Sequence, residues 1–428
     1  MFLALGLFLS GILINPMSPS QTSKLVVADV FLLAGIASLL LSALSGRGRI
    51  SLGIHRSVHG VFVLLCGFLV WVFLSGSVAI SLHDQRAGAF VLTFANYLYG
   101  AIVCVAIVAA SARPVHFGAL VTAYTLGVVL VSSFSAVAMF GDAPDWAYHG
   151  GGRIKSTSQS VNQLAAYVAP AIPLVLILSL GHAVRRGRTL FFGLSAALAG
   201  LALIGTGSRT ALVLLLVSLW LVALAALVFW RSKRSLASTI LLGCAGMAAG
   251  LVYLVVSFRQ AGSKVIPEFA SPLSRPLDRF LSPGTVEAGL GQRYDQMESV
   301  LSNWVHHPAF GIGPGNFKSF FASDFEVHNT YFATLIETGV PGLLLLLAFQ
   351  ATILWACLRM SLGSAPAAMR IAAFAVFSAF LVVSLYGLGS FGLRQRPFWI
   401  QAGLAIGLVN QYWMAFGPGR KDIARCSA

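Results

Sequence analysis

The residues best suited to chemistry are one histidine and several arginines that border apolar segments. His328 and Asn329 precede a short predicted helix that carries Glu337. A neutral histidine can accept a proton near pH 7. Arg209 follows Ser208 at the predicted start of another helix, where free backbone N–H groups and a guanidinium together suit a phosphate. Together these residues favour a general base at His328 and a phosphate-binding site at Arg209.

Gly339 and Pro341 predict how the histidine is positioned. Glycine can end a helix, and proline suits the first turn of the next one because it lacks only an N–H that is unpaired there. We therefore predict a short surface helix over about 329–338, a break, and a spanning helix that begins at Pro341. Glu337 should lie on the opposite side of the short helix from His328 and contact an arginine or a helix N-terminus. The simpler alternative is that His328 only caps the short helix.

Arg293 lies in a predicted amphipathic helix over about 288–305. The apolar face, at i, i+3, i+4 and i+7 spacing, comprises Met297, Val300, Leu301 and Trp304. Arg293 is on that same face, so we expect it to be paired or to face a cavity. The alternative is an arginine at the helix rim. A turn rich in glycine and proline over residues 306–317 would bring this helix against His328, with His306 and His307 as turn residues.

Two further polar segments join spans. We predict that Ser160 caps the sixth span, with Asn162 in its first turn and Arg153 just before it. An ordinary interfacial loop is the alternative. Ser208 is likewise predicted to cap the eighth span, and the alternative for Arg209 is contact with lipid headgroups.

Composition sets the fold class. The 428 residues are 57% hydrophobic and 10% charged, with a mean hydropathy of +0.85, whereas a soluble domain is about 25% charged. We predict an all-α polytopic membrane protein with about 12 transmembrane helices and one long, partly helical periplasmic loop. The predicted spans are 2–15, 25–44, 57–80, 87–111, 117–140, 161–181, 189–206, 210–230, 236–257, 341–358, 371–390 and 398–417.

These spans divide the chain into three parts. Residues 1–257 hold transmembrane helices 1–9, residues 258–340 hold the periplasmic loop with short surface helices and the catalytic motif, and residues 341–428 hold helices 10–12 and a cytoplasmic tail. The N-terminal apolar stretch is expected to be the first span, not a removed signal peptide. Residues 391–399, which include Arg394, are explained by anchoring at the membrane interface.

The net charge of +15 follows membrane topology and does not indicate nucleic acid. Most Lys and Arg residues of the short loops fall on one side of the predicted spans, as the positive-inside rule requires of the cytoplasmic side. Both termini are therefore expected in the cytoplasm and the polar motifs on the opposite face. The five cysteines predict no disulfide and no metal site.

The motif around His328 also resembles a known family. The His-Asn lead, the Leu335-x-Glu337-x-Gly339 core and the Val-Pro-Gly segment before a leucine run resemble the signature of the O-antigen ligase and O-antigen polymerase family, over roughly residues 150–345. That resemblance implies a bacterial inner-membrane glycosyltransferase that uses a glycan linked to undecaprenyl diphosphate. It also implies that outer-face arginines pair with the histidine and that neither a metal nor a cofactor takes part. Only 12 residues separate the Gly-x-Gly turn from His328. This interval is shorter than is typical of the family, which suggests that the acceptor side of the site is open.

From the motifs and this resemblance we assign catalysis to His328 as general base and to Arg209 and Arg293 at the diphosphate. The predicted substrate-binding residues are Arg153, Asn162, Ser208, Arg279, Asn329 and Glu337.

The partners implied are the lipid-linked donor, a lipid A-core or other glycan acceptor, and the bilayer. We favour a ligase, or a related glycan transferase, because the outer loop is compact, and we expect the transfer to be inverting. A polymerase with the same donor is the alternative, and a small-anion transporter is less favoured because mid-span charges are nearly absent.

Overall fold

The computed structural model describes residues 1–12, 27–44, 54–83, 87–141, 143–149, 153–181, 186–230, 298, 300–321 and 327–416. Within these residues the secondary structure is almost entirely helical, apart from one antiparallel pair of two-residue strands. The α-helices are α1 (Phe2–Leu9), α2 (Val27–Leu44), α3 (Arg56–His83), α4 (Ala87–Ala110), α5 (Pro114–Phe140), α6 (Val161–Val168), α7 (Ala171–Gly181), α8 (Arg186–Gly205), α9 (Arg209–Phe229), α10 (Phe317–Phe320), α11 (Thr330–Leu362), α12 (Ala367–Tyr386) and α13 (Arg396–Phe416). Residues 300–304 are also helical.

Seven helices in the described part of the chain are long and apolar enough to cross a membrane. The predicted class, an all-α polytopic membrane protein, is therefore confirmed, while the larger number of spans and the periplasmic loop stay predictions. The predicted span 236–257 lies outside the described residues. The seven spans are Arg56–Ser81, Ala87–Ala110, Pro114–Phe140, Val161–Leu180, Arg209–Phe229, Thr330–Leu362 and Ala367–Tyr386.

The described residues group into two compact units. The first comprises Met1–Leu32, Thr122–Gly291 and Phe374–Tyr386, and the second comprises Leu33–Val121, Gln292–Ala373 and Gly387–Ala428.

In the first unit, α7 packs against α8 and α9. A small hairpin lies before α6, with Tyr148 opposite Ile154 and His149 opposite Arg153. Ile154 is buried in an apolar cluster with Met139. Burial of Ile154 fixes the second strand, so this strand presents its neighbour Arg153 in a defined place.

In the second unit, α3 packs against α11 and α13 packs against α4. The face of α13 toward α4 carries Gly403 and Gly407, a small-xxx-small spacing that lets two membrane helices approach closely. A Cβ at Gly403 would lie 2.9 Å from the Cβ of Ile107. Residues 397–411 of α13 are all buried, although α13 is not among the seven apolar spans.

Candidate functional site

The helix that follows His328 is broken where the sequence predicts. Gly339, inside α11, has φ 70° and ψ −174°, a conformation essentially reserved for glycine. Helical geometry resumes with Pro341 in the first turn. The N-cap is Asn329, whose side chain accepts from the backbone N–H groups of the next turn. His328 therefore precedes the cap and does not form it, so the capping alternative for the histidine is wrong.

A glycine-rich turn, residues 308–316, binds the helix break, residues 336–340. Its glycines at 311, 313 and 315 all have positive φ, a backbone conformation that favours glycine. Three backbone hydrogen bonds join the two segments: Ile312 N–H to Ile336 O (2.8 Å), Gly313 N–H to Glu337 O (3.0 Å) and Val340 N–H to Pro308 O (2.9 Å). The turn therefore satisfies backbone groups that the break would otherwise leave unpaired.

Helix α3 supplies side-chain donors to the same break. The Trp71 indole N–H donates to the Thr338 carbonyl at 2.8 Å, and the Ser75 hydroxyl lies 2.8 Å from the Glu337 carbonyl and also contacts the Phe310 carbonyl. Trp71 further stacks on Phe310 with ring centroids 5.0 Å apart. Sequence reasoning missed both donors because they lie within an apolar run that resembles any other span.

The connecting segment, residues 387–395 between α12 and α13, binds the start of α11. The Thr330 hydroxyl donates to the Ser390 carbonyl (2.8 Å) and accepts from the Gly392 N–H (2.7 Å). The Asn329 side-chain amide donates to the Leu388 carbonyl at 3.1 Å. The two residues after His328 are therefore fixed by the connecting segment.

Glu337 and Arg394 form an ion pair. An Arg394 guanidinium nitrogen lies 3.2 Å from Glu337 Oε1, and the two side chains are 22% and 2% exposed, respectively. The same Oε1 accepts from the Gly315 N–H at 3.1 Å. The predicted contact of Glu337 with an arginine is confirmed. Arg394 is half-buried against Glu337 and over the Phe391 ring, so it has a packing role that the sequence did not indicate, and its anchoring at the membrane interface stays a prediction.

A small cleft, partly open to solvent, lies at this ion pair. It is lined by Gly315, Phe317, Lys318, Val327, Ala333, Glu337, Phe391 and Arg394. The lining holds two cations and one carboxylate, so its formal charge is positive. Val327, the residue before His328, is among the lining residues, and His328 itself is exposed.

In the first unit, Arg153 binds the turn that precedes α9. Its Nε donates to the Thr206 carbonyl at 2.8 Å. Ser208 is the N-cap as predicted, with its hydroxyl accepting from the Ala211 N–H at 3.4 Å. Arg209, half-buried, is the first residue of the helix. The structure therefore brings together three of the predicted site residues at one helix N-terminus.

Asn162 lies in the first turn of α6, and the predicted cap of that helix by Ser160 is confirmed. The Asn162 carbonyl accepts from the Tyr386 hydroxyl at 2.8 Å. Arg293 and Arg279 lie outside the described residues, so the expected approach of the Arg293 helix to His328 stays a prediction.

Of the helix predicted over 288–305, the structure describes residues 298 and 300–305, of which 298 and 300–304 are helical. Val300 is buried as expected, whereas Leu301, on the same apolar face, is 46% exposed. The expectation that His306 and His307 belong to a turn is confirmed. Within the described ranges no group of three or more His, Cys, Asp and Glu residues could hold a metal ion.

The seven apolar spans of the described residues define a polytopic membrane protein, in which several of the predicted site residues lie at helix starts or beside the break in α11. Residues 194–347, from within α8 to within α11, match the family model described as O-antigen ligase. This segment, which contains α9 and the motif around His328, is therefore similar to the O-antigen ligase family. A search of curated proteins finds no match to the chain.

Proposed function

We propose that the protein transfers a glycan from undecaprenyl diphosphate to an acceptor hydroxyl, as an inverting, metal-independent ligase. The acceptor oxygen forms a bond to the anomeric carbon of the donor sugar while the bond from that carbon to the diphosphate oxygen breaks. The electron pair leaves on the diphosphate. Attack opposite the leaving group inverts the anomeric centre.

His328 is the proposed general base, and its placement is the observation that carries this function. The imidazole is exposed, directly follows a residue that lines the positively charged cleft, and precedes a helix start that is fixed by hydrogen bonds. An accessible histidine on a fixed backbone is suited to take the proton of a bound hydroxyl. The family match, which includes this motif, supports the same role.

Arg209 and Arg293 are the proposed ligands of the diphosphate. A guanidinium binds phosphate oxygens in a bidentate manner and stabilises the negative charge that develops on the leaving group. At Arg209 the N-terminus of α9 adds its own partial positive charge. Arg153 supports the preceding turn through Thr206, while Ser208 caps the helix. Asn162, Asn329 and Arg279 complete the proposed substrate-binding set.

The decisive experiment is transfer by purified protein in detergent or nanodiscs. Lipid-linked glycan and lipid A-core acceptor are incubated with and without a chelator, and the product is resolved on a gel. We expect transfer in both conditions and none with His328→Ala at wild-type yield. Full transfer by His328→Ala protein would remove the histidine from the reaction, and loss of transfer with chelator would contradict metal independence.

A polymerase would use the same donor but a second lipid-linked repeat as acceptor. Cell-surface glycans distinguish the two: loss of a ligase leaves unattached lipid-linked polymer, whereas loss of a polymerase leaves single repeats. Uptake of a small anion into liposomes, abolished by Arg209→Ala, would instead support the transporter alternative. We further propose an inner-membrane location, cytoplasmic termini and a periplasmic active site, since basic loops favour the cytoplasm. Cysteine labelling from each side of the membrane tests this topology.

A further inference from the structure

We propose that Glu337 and Arg394 are positioning residues for His328. In this inference, which rests on the proposed role of His328, their ion pair links the connecting segment to α11 and so fixes the backbone from which the histidine projects. Glu337 was predicted to bind substrate. Its side chain is 2% exposed, so it acts from inside the protein.

The connecting segment is bound to α11 at two places on one helix face. Thr330 and Glu337 are seven residues apart, which is about two helical turns or roughly 10.5 Å along the axis, so their side chains share a face. Thr330 donates its backbone N–H to the Gly387 carbonyl (2.7 Å), and its hydroxyl binds Ser390 and Gly392 farther along the segment. Glu337 binds the far end of the segment through Arg394. Loss of the ion pair would leave the segment bound only to the first residues of α11 and to their N-cap, through Thr330 and Asn329.

At Glu337 the contact is an ion pair that two further contacts support. One carboxylate oxygen accepts from both the Arg394 guanidinium (3.2 Å) and the Gly315 N–H (3.1 Å). The guanidinium carbon lies 4.5 Å from the Phe391 ring centroid, which adds a cation–π contact within the segment. Since Glu337 is buried, removal of Arg394 would leave a poorly compensated charge, and the segment would shift to relieve it.

A shift of the segment reaches His328 through its immediate neighbours. Asn329 binds the Leu388 carbonyl and also caps α11, so movement of the segment reorients the residue next to the histidine. A misplacement of about 1 Å at a reacting group can lower a rate about 100-fold. The pair therefore acts on the rate of proton removal and leaves the donor site intact.

The first test is steady-state transfer by Arg394→Gln, Arg394→Lys and Glu337→Gln. We expect Arg394→Gln to lower kcat about 100-fold with KM for the donor nearly unchanged, and Arg394→Lys to restore part of the loss. Arg370→Gln is the matched control, because the Arg370 Nε donates to the Ser361 carbonyl (3.0 Å) at the other end of α11. Wild-type kcat in Arg394→Gln, or a loss confined to KM, would overturn the inference.

The second test measures position 328 without relying on activity. The five cysteines are replaced, a nitroxide is attached at His328→Cys, and its mobility is recorded by electron paramagnetic resonance. We expect the nitroxide at position 328 to be more mobile in Arg394→Gln and Glu337→Gln than in the otherwise wild-type protein. Its mobility should not change in Arg370→Gln. Unchanged mobility in both pair variants would overturn the positioning role, whether or not they lose activity. Transfer by His328→Ala would refute the general base, while the label would still report whether the pair fixes this site.

Discussion

Gly339→Ala is the most direct test of the broken helix. An alanine at φ 70° and ψ −174° would carry about 1–3 kcal/mol of backbone strain. Its Cβ would also meet the backbone carbonyls of Ala309 and Pro308, which cannot move without displacing the glycine-rich turn. If that displacement breaks the three backbone hydrogen bonds between the turn and the break, each bond costs about 0.5–1.5 kcal/mol more. We expect a total destabilisation of about 3 kcal/mol or more.

The measurement is the unfolding free energy in mixed detergent micelles, titrated with a denaturing detergent, together with transfer activity. Gly60→Ala is the matched control, because no atom lies within 4 Å of a Cβ built at that position of α3 and alanine improves an exposed helix. The control should therefore unfold at or slightly above the wild-type midpoint. Equal midpoints for the two variants would refute the strained break and the clash with the turn.

Two further substitutions probe individual contacts. Ser208→Ala removes the cap of α9, so the unfolding free energy should fall by about 1 kcal/mol and KM for the donor should rise. The control is Ser218→Ala, which removes a hydroxyl bonded to the Leu214 carbonyl four residues earlier in the same helix and should be nearly neutral. Equal effects of the two variants would contradict a role of the cap in the proposed donor site. Trp71→Phe keeps an aromatic ring near Phe310 but removes the indole donor to the break, so the unfolding free energy should fall by about 1 kcal/mol. The control is Trp355→Phe, because the Trp355 residue is 64% exposed. An equal loss in the control would contradict a stabilising role of the Trp71 hydrogen bond.

Local features of the site were predictable because they depend on neighbouring residues. Gly339 and Pro341 predict the break, and Ser160 and Ser208 predict helix caps, because backbone conformation and capping act within a few residues. The class follows from hydropathy alone.

The ion pair was only half predictable. The helical position of Glu337 indicated that its carboxylate needs a partner. The identity of that partner, Arg394, depends on the path of the connecting segment after α12. Trp71 and Ser75 gave no signal, since a donor in an apolar span is recognised only when the carbonyl that it binds is known. Leu301 fits the helical period yet is exposed, because periodicity identifies a face without showing what covers it.

The polar character of α13 has a consequence for biosynthesis. A segment that contains buried Gln401, Asn410 and Gln411 gains little from lipid by itself, since each amide is costly in hydrocarbon. Its glycines instead pack against α4, which is synthesised earlier than α13. Contact with α4, more than its own hydropathy, is therefore what retains α13 in the membrane.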